Sequence, residues 1–142
     1  MFGKKKIETL KDLADRMADI DIAILSTRAA NGAIAGRPMS NNGDVEYDGD
    51  SYYFALDSTN TVADIARDPQ VGLGFQGKHW FYVAVEGRAE LIRDKAQFEE
   101  HWAKDLEMWF EDGVDTPGLV LIHVHAERIH WWDKGDEGEI KP

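Results

Sequence analysis

Cysteine is absent from all 142 residues. That absence excludes thiol catalysis, a disulfide framework and zinc-thiolate modules. Basic residues are the next shortage: sixteen Lys and Arg stand against twenty-seven Asp and Glu, a formal charge of -11 and a sequence pI near 4.8. A surface of that sign repels a phosphate backbone unless basic side chains gather locally. Beyond the first six residues they do not, so nucleic-acid binding is disfavoured. Long apolar runs are also missing. The longest, such as residues 119–122, fall far short of the about 20 residues a membrane helix needs, and no membrane span is expected. Lys4, Lys5 and Lys6 lead into Ile7-Glu8-Thr9-Leu10-Lys11-Asp12, not into the apolar region and cleavage site of a secretory signal. The expected location is the cytoplasm. What is present, 43% hydrophobic and 30% charged residues with no repeat, low-complexity tract or linker, suits a single domain over 1–142. Its core is expected at about 7–134, with a polar tail over 135–142. A chain of this length buries roughly two thirds of its unfolded surface, enough for a core without covalent staples.

Ile7, Leu10, Leu13, Ala14 and Met17 recur at intervals of three and four, which predicts an amphipathic helix over 7–17. A strand over 22–27, an Asn31-Gly32 turn and a second strand over 33–39 follow. Pro38 has no N–H to donate, so the second strand must be an edge there, or must bulge or end. Turn clusters at Asn42-Gly43-Asp44 and Tyr47-Asp48-Gly49-Asp50 bracket a short third strand over 45–47 and precede a fourth over 51–56. A two-turn helix over 61–67 is stopped by Asp68-Pro69. Strands are predicted over 71–75 and over 80–91, the latter the longest strand signal. Asp94 caps a third helix whose Phe98, Trp102, Leu106 and Trp109 or Phe110 form one stripe, in the core or at an interface. Residues 119–132 read as a last strand and 133–142 as a loose tail. Six or seven strands with three marginal helices predict a mainly β fold, a closed or nearly closed β-barrel with peripheral helices.

The run Asp57-Ser58-Thr59-Asn60-Thr61 leads from a strand into a helix N-terminus. Free N–H groups and the positive end of the helix dipole make such a place fit for a phosphate, although plain capping needs only one of these residues. Arg37 could add a guanidinium fork. His123 and His125 alternate along one strand and share a face, a pattern that can chelate a metal or face a haem. No third ligand follows by spacing, so no metal is assigned, and His130 has the opposite parity unless a bulge intervenes. Ser40 or Ser58 could enter a hydrolytic triad, but no nucleophile-elbow sequence supports one. Trp109 and Trp132 lie near segment ends, where aromatics suit an interface or a flat ligand as well as they suit packing.

Gly36-Arg37-Pro38-Met39 after a hairpin, Tyr53-Phe54 before a Ser/Thr-rich helix start, Ile65-Ala66-Arg67-Asp68-Pro69-Gln70-Val71 and Val83-Ala84-Val85-Glu86-Gly87-Arg88-Ala89 together resemble the pyridoxamine 5'-phosphate oxidase-like family. The general stress protein 26 branch is the nearest match. The similarity runs on through Trp109-Phe110-Glu111-Asp112-Gly113 and Ala126-Glu127-Arg128-Ile129-His130-Trp131-Trp132-Asp133, covering roughly residues 7 to 134. It implies an FMN-binding split barrel that forms a homodimer and holds flavin at the subunit interface. Arg37, Pro38, Met39 and Ser40 would lie along the flavin, Phe54 before the phosphate turn, and Asp57, Ser58, Thr59, Asn60 and Thr61 around the phosphate. Trp109 and Trp132 would stand at the cleft. Many relatives carry a lysine or arginine where this chain has Thr61, and the grip on substrate phosphate found in the true oxidases is not matched. The implied function is therefore a flavin-dependent oxidoreductase on an unidentified small molecule, not a true pyridoxamine phosphate oxidase. A non-catalytic flavin-holding module and a haem-binding barrel are the alternatives, and FAD is the second flavin to test.

Overall fold

The computed structural model describes residues 6–41 and 45–142. In chain order the elements are α1 (Leu10–Met17), β1 (Ile22–Arg28), β2 (Ile34–Ser40), β3 (Asp50–Leu56), α2 (Asn60–Arg67), β4 (Gln70–Gln76), β5 (Phe81–Ile92), α3 (Lys95–His101), β6 (Leu119–Asp133) and β7 (Asp136–Ile140). Two 3-10 segments, Lys104–Met108 and Gly113–Asp115, lie between α3 and β6. All pairings are antiparallel in one sheet of order β2-β1-β4-β5-β6-β3, with β7 added to β6. Leu25 of β1, Leu73 of β4, Val85 of β5, Ile129 of β6 and Tyr53 of β3 all belong to one buried cluster. A sheet whose distant strands share one core must curl, and this is the mainly β barrel that the strand count predicts. Closure is incomplete: among the described residues no ladder joins β2 to β3. Pro38 stands opposite Ile24 on the outermost strand, where a missing N–H costs no ladder bond.

The α1 helix plugs one end of the barrel with buried Leu13, Ala14 and Met17. Arg16 forks onto the buried Asp133 at 2.8 and 3.2 Å while its guanidinium lies 4.6 Å over the Phe81 ring, tying the helix to β6 and β5. The helix is shorter than its apolar spacing suggests. Thr9 is the N-cap, its hydroxyl accepting from the Asp12 N–H while the Asp12 carboxylate accepts from the Thr9 N–H. That reciprocal cap starts the helix at Leu10, and Ile7 packs in the core from outside it.

Other expectations are corrected. No strand forms over 45–47; Tyr47 instead sets its ring edge-on to Phe75, 6.1 Å between centroids. The Asn42-Gly43-Asp44 turn lies outside the described residues. Trp80 is not in β5: His79 and Trp80 have φ of 59° and 64°, in a loop closed by the Gly77 N–H donating to Phe81 O at 2.8 Å. The longest strand is β6, with 15 residues against 12 in β5. The α3 helix ends at His101 because Trp102 is extended, yet Phe98, Trp102, Leu106 and Phe110 still converge on Phe54 in a second cluster. Trp109 leaves that stripe for solvent. The tail is not loose over 136–140. Lys134 and Gly135, with φ of 50° and 94°, form a two-residue hairpin loop whose twist suits the flanking strands, so β7 pairs with β6.

A register shift between β5 and β6 pairs Glu86 with Arg128 but Gly87 with Ala126, leaving Glu127 as the extra residue of a bulge. Val124 and Ala126 are buried before it, Ile129 and Trp131 after it. The bulge thus puts His130 on the same outward face as His123 and His125. Glycine is required opposite it, because a Cβ on Gly87 would sit 2.9 Å from both His125 O and Val124 Cγ1. Gly87→Ala should lower stability by about 1 to 3 kcal/mol, read as a fall of several degrees in Tm; an unchanged Tm would show that the bulge yields freely.

Candidate functional site

Arg37 is held on the inner side of the edge strand. Its Nη1 donates to Thr27 Oγ1 at 2.7 Å and Leu25 O at 3.3 Å, and its Nη2 lies 3.6 Å from Asp64 Oδ2. Asp64 is buried on α2, where it accepts from the Thr27 hydroxyl at 2.8 Å and from Arg67 at 2.9 Å. The Thr27 hydroxyl, followed by Arg67 and Arg37, holds the Asp64 carboxyl below its ordinary range against the opposing effect of burial. One carboxylate therefore joins β1, β2 and α2.

At the start of α2, Thr59 acts as the N-cap: its hydroxyl donates to Leu56 O at 2.8 Å and accepts from the Val62 N–H at 3.4 Å. Plain capping thus occupies this residue. Ser58 and Asn60 are exposed beside it, next to first-turn N–H groups that have no partner within the helix. Asp57 pairs with Arg93 at 2.6 Å, and its N–H donates to Gly118 O. Thr61 is only 9% exposed, turned into the fold on the same face as Asp64 and Ile65. A side chain at that position meets the core before it meets a ligand.

Met39, Ser40, Phe54 and Trp109 are brought together in a cleft of about 540 Å³ between the end of β2, β3 and the segment after α3. Phe54 forms its floor, packed edge-on against Phe98 and Trp102 with centroids 5.9 and 4.9 Å away. Trp109 stands at the wall, 72% exposed. Tyr52 and His101 line the cleft as a stacked pair, 3.7 Å between centroids and 14° from parallel. Arg37 and Pro38 precede this wall on β2 but do not line it, and the α2 start is likewise outside the lining. Trp132 lies elsewhere, in a groove of about 690 Å³ on the outer sheet face, stacked 4.2 Å on His130. Ile22, Ile24, Gly74 and Ala84 share that groove, and Asp21 and Ile22 line both hollows. His123 Nε2 and His125 Nδ1 both meet Asp50 Oδ1 at 2.8 Å, so one carboxylate engages the two rings. Burial works to raise the Asp50 carboxyl, but these two contacts hold it below its ordinary range. Among the described residues no group of three or more His, Cys, Asp or Glu could hold a metal ion.

Several contributors escape sequence reasoning. Thr27, Tyr52, His101, Ile22 and Ile24 look like ordinary strand and helix residues. Asp64 did carry a signal: it falls three residues after Thr61 and one before Ile65, on the face of α2 that must be buried.

An antiparallel barrel left open beside an aromatic-walled cleft defines a split-barrel protein. The chain belongs to the family described as pyridoxamine 5'-phosphate oxidase like, whose model matches residues 8–141. General stress protein 26 of Bacillus subtilis (strain 168) is 29% identical over 110 residues, covering 74% of this chain and 78% of that protein. A solved protein related to general stress protein 26, from Clostridium acetobutylicum, superposes with a TM-score of 0.81 at 19% identity, covering 93% of each chain. A heme binding protein from Mycobacterium smegmatis shares the fold with a TM-score of 0.74 at 13% identity, over 97% of this chain and 60% of its own. No helix among the described residues is long and apolar enough to cross a membrane.

Because the Asp64 carboxyl is depressed on folding, its stabilising contribution is present at neutral pH and is lost as pH falls below about 4 through the folded value. Asp64→Asn should lower Tm at pH 7, with the gap to wild type shrinking as pH falls through that range. A gap constant with pH would mean that the charge contributes nothing.

Proposed function

We propose that this chain binds FMN in the cleft beside β2, that a second copy of the chain completes the site, and that the bound flavin exchanges electrons with a small molecule. The observation that carries this reading is the edge of β2, unpaired among the described residues, beside the wall of Met39, Ser40, Phe54 and Trp109. An edge strand presents N–H and C=O groups in a row, as the polar rim of an isoalloxazine ring requires, while the apolar wall suits its faces. The cleft volume of about 540 Å³ falls within the about 300 to 1,000 Å³ typical of cofactor sites.

The phosphate end fits the start of α2, with its free N–H groups, Ser58 and Asn60, and with Arg37 beside Asp64 of the same helix as a positive charge. Thr61, buried, takes no part. FMN would supply hydride and single-electron transfer. Met39 and Phe54 exclude water from the ring, and the β2 edge orients it. Arg37, braced by Thr27 and Asp64, fixes the strand that presents this edge. The second copy is argued from the outer face: Ile22, Ile24 and Trp132 are exposed around the small Gly74 and Ala84, and Asp21 and Ile22 connect this face to the cleft. In the haem reading His125 would ligate through Nε2 while Nδ1 keeps Asp50, but that ring lies outside the cleft lining.

Titration with FMN and FAD, followed by flavin fluorescence, should show saturable binding of FMN at one per chain. Arg37→Ala should weaken it about 10- to 150-fold, the scale of losing a charged hydrogen bond. No saturation at tens of micromolar would overturn the flavin assignment, and reduction of bound flavin by NADH or NADPH separates turnover from mere holding. Ile24→Glu should shift the sedimenting species from dimer to monomer and abolish flavin binding. A monomer that still binds FMN would show that the site belongs to one chain.

A further inference from the structure

The cleft proposed for flavin has an unbalanced charge. Among its described lining residues are two carboxylates, Asp21 and Asp105, and no lysine or arginine. Both carboxylates are exposed and neither takes part in an ion pair among the described residues, unlike Asp57, Asp64 and Asp133, which arginines neutralise. The wall also carries aromatic rings: Trp109 is uncovered, and Tyr52 stacks on His101 at 3.7 Å and on His123 at 4.6 Å. Aromatic faces attract cations, and carboxylates at the rim add to that attraction while repelling anions.

From this charge pattern we infer that the molecule admitted to the cleft alongside the flavin is a planar aromatic cation, and that phosphorylated or otherwise anionic reactants are rejected. The inference rests on the flavin reading only in taking this cleft as the reaction site. It deepens that reading by naming the class of the second ligand. The acidic rim and the phosphate end are separate places, since neither Arg37 nor the α2 start lines the cleft. A flavin can therefore be held at its phosphate by one region while the other discriminates by charge.

Two tricyclic dyes of similar size and opposite charge, cationic methylene blue and anionic resorufin, serve as probes in equilibrium dialysis at low salt, with and without saturating FMN. Methylene blue should bind saturably and about tenfold more tightly than resorufin, the scale of two screened ion contacts. The double variant Asp21→Asn/Asp105→Asn should abolish that preference. Glu8→Gln/Glu127→Gln, which removes the same charge from outside the cleft lining, should preserve it. Trp109→Ala should weaken both dyes. Equal or tighter binding of resorufin, the same loss of preference in both double variants, or a preference untouched by the Asp substitutions would overturn the assignment, as would Trp109→Ala leaving both affinities unchanged. The FMN titration is scored separately: if FMN fails to bind while the dye preference behaves as stated, the flavin reading falls and the charge selectivity of the cleft stands.

Discussion

Asp64 is a buried carboxylate surrounded by a barrel that is mostly hydrocarbon, and such a charge persists only where cations and hydroxyls compensate it. Its partners come from three elements: Thr27 from β1, Arg37 from β2 and Arg67 from α2 itself. The consequence is positional. Among the described residues β2 has a ladder on one side only, and an edge strand held by half its hydrogen bonds is easily displaced. The Arg37 fork, anchored through Thr27 and Asp64, gives that strand a second attachment besides its ladder. The cleft depends on where β2 ends, so a network outside the cleft lining sets its width.

The opening of the barrel follows from the same strand. Pro38 offers no donor to a further neighbour, and Met39 and Ser40 pass directly from the ladder into the cleft wall. On the other side, β3 presents Tyr52 toward the histidines and Phe54 toward the second cluster, with Tyr53 turned into the barrel. Alternation along one strand thus sends one ring to the barrel core and two to the second cluster, and all three reach the cleft. The segment after α3 completes the arrangement, because breaking the helix at Trp102 keeps Leu106 and Phe110 inside and sends Trp109 out.

Much of this was legible in the residues. The Asn31-Gly32 turn, with Gly32 at a φ of 86°, and the edge position of Pro38 follow directly from backbone chemistry. So does the start of α2, where Thr59 caps as its hydroxyl permits. The misreadings share a cause. Composition within a window favours a 45–47 strand, Trp80 in β5 and a loose tail, whereas the last two are decided by backbone torsions: left-handed His79 and Trp80 delay the start of β5, and left-handed Lys134 and Gly135 create β7. Of the site, Met39, Ser40, Phe54 and Trp109 converge as a group. Arg37 turns inward to Thr27 and Asp64 and Trp132 lies in the outer groove, because the face a strand residue adopts depends on a register that no local pattern specifies.

The extra residue at Glu127 gives β6 a property that substitutions do not probe. Before it, even-numbered side chains at Val124 and Ala126 face inward; after it, odd-numbered ones at Ile129 and Trp131 do. Removal of that one residue would leave Ala126 inside, Arg128 outside and Ile129 inside, a regular alternation still facing Gly87, Glu86 and Val85. Along this stretch the strand can therefore lose one codon and keep Ile129 and Trp131 in the barrel, exchanging a bulge for a straight ladder.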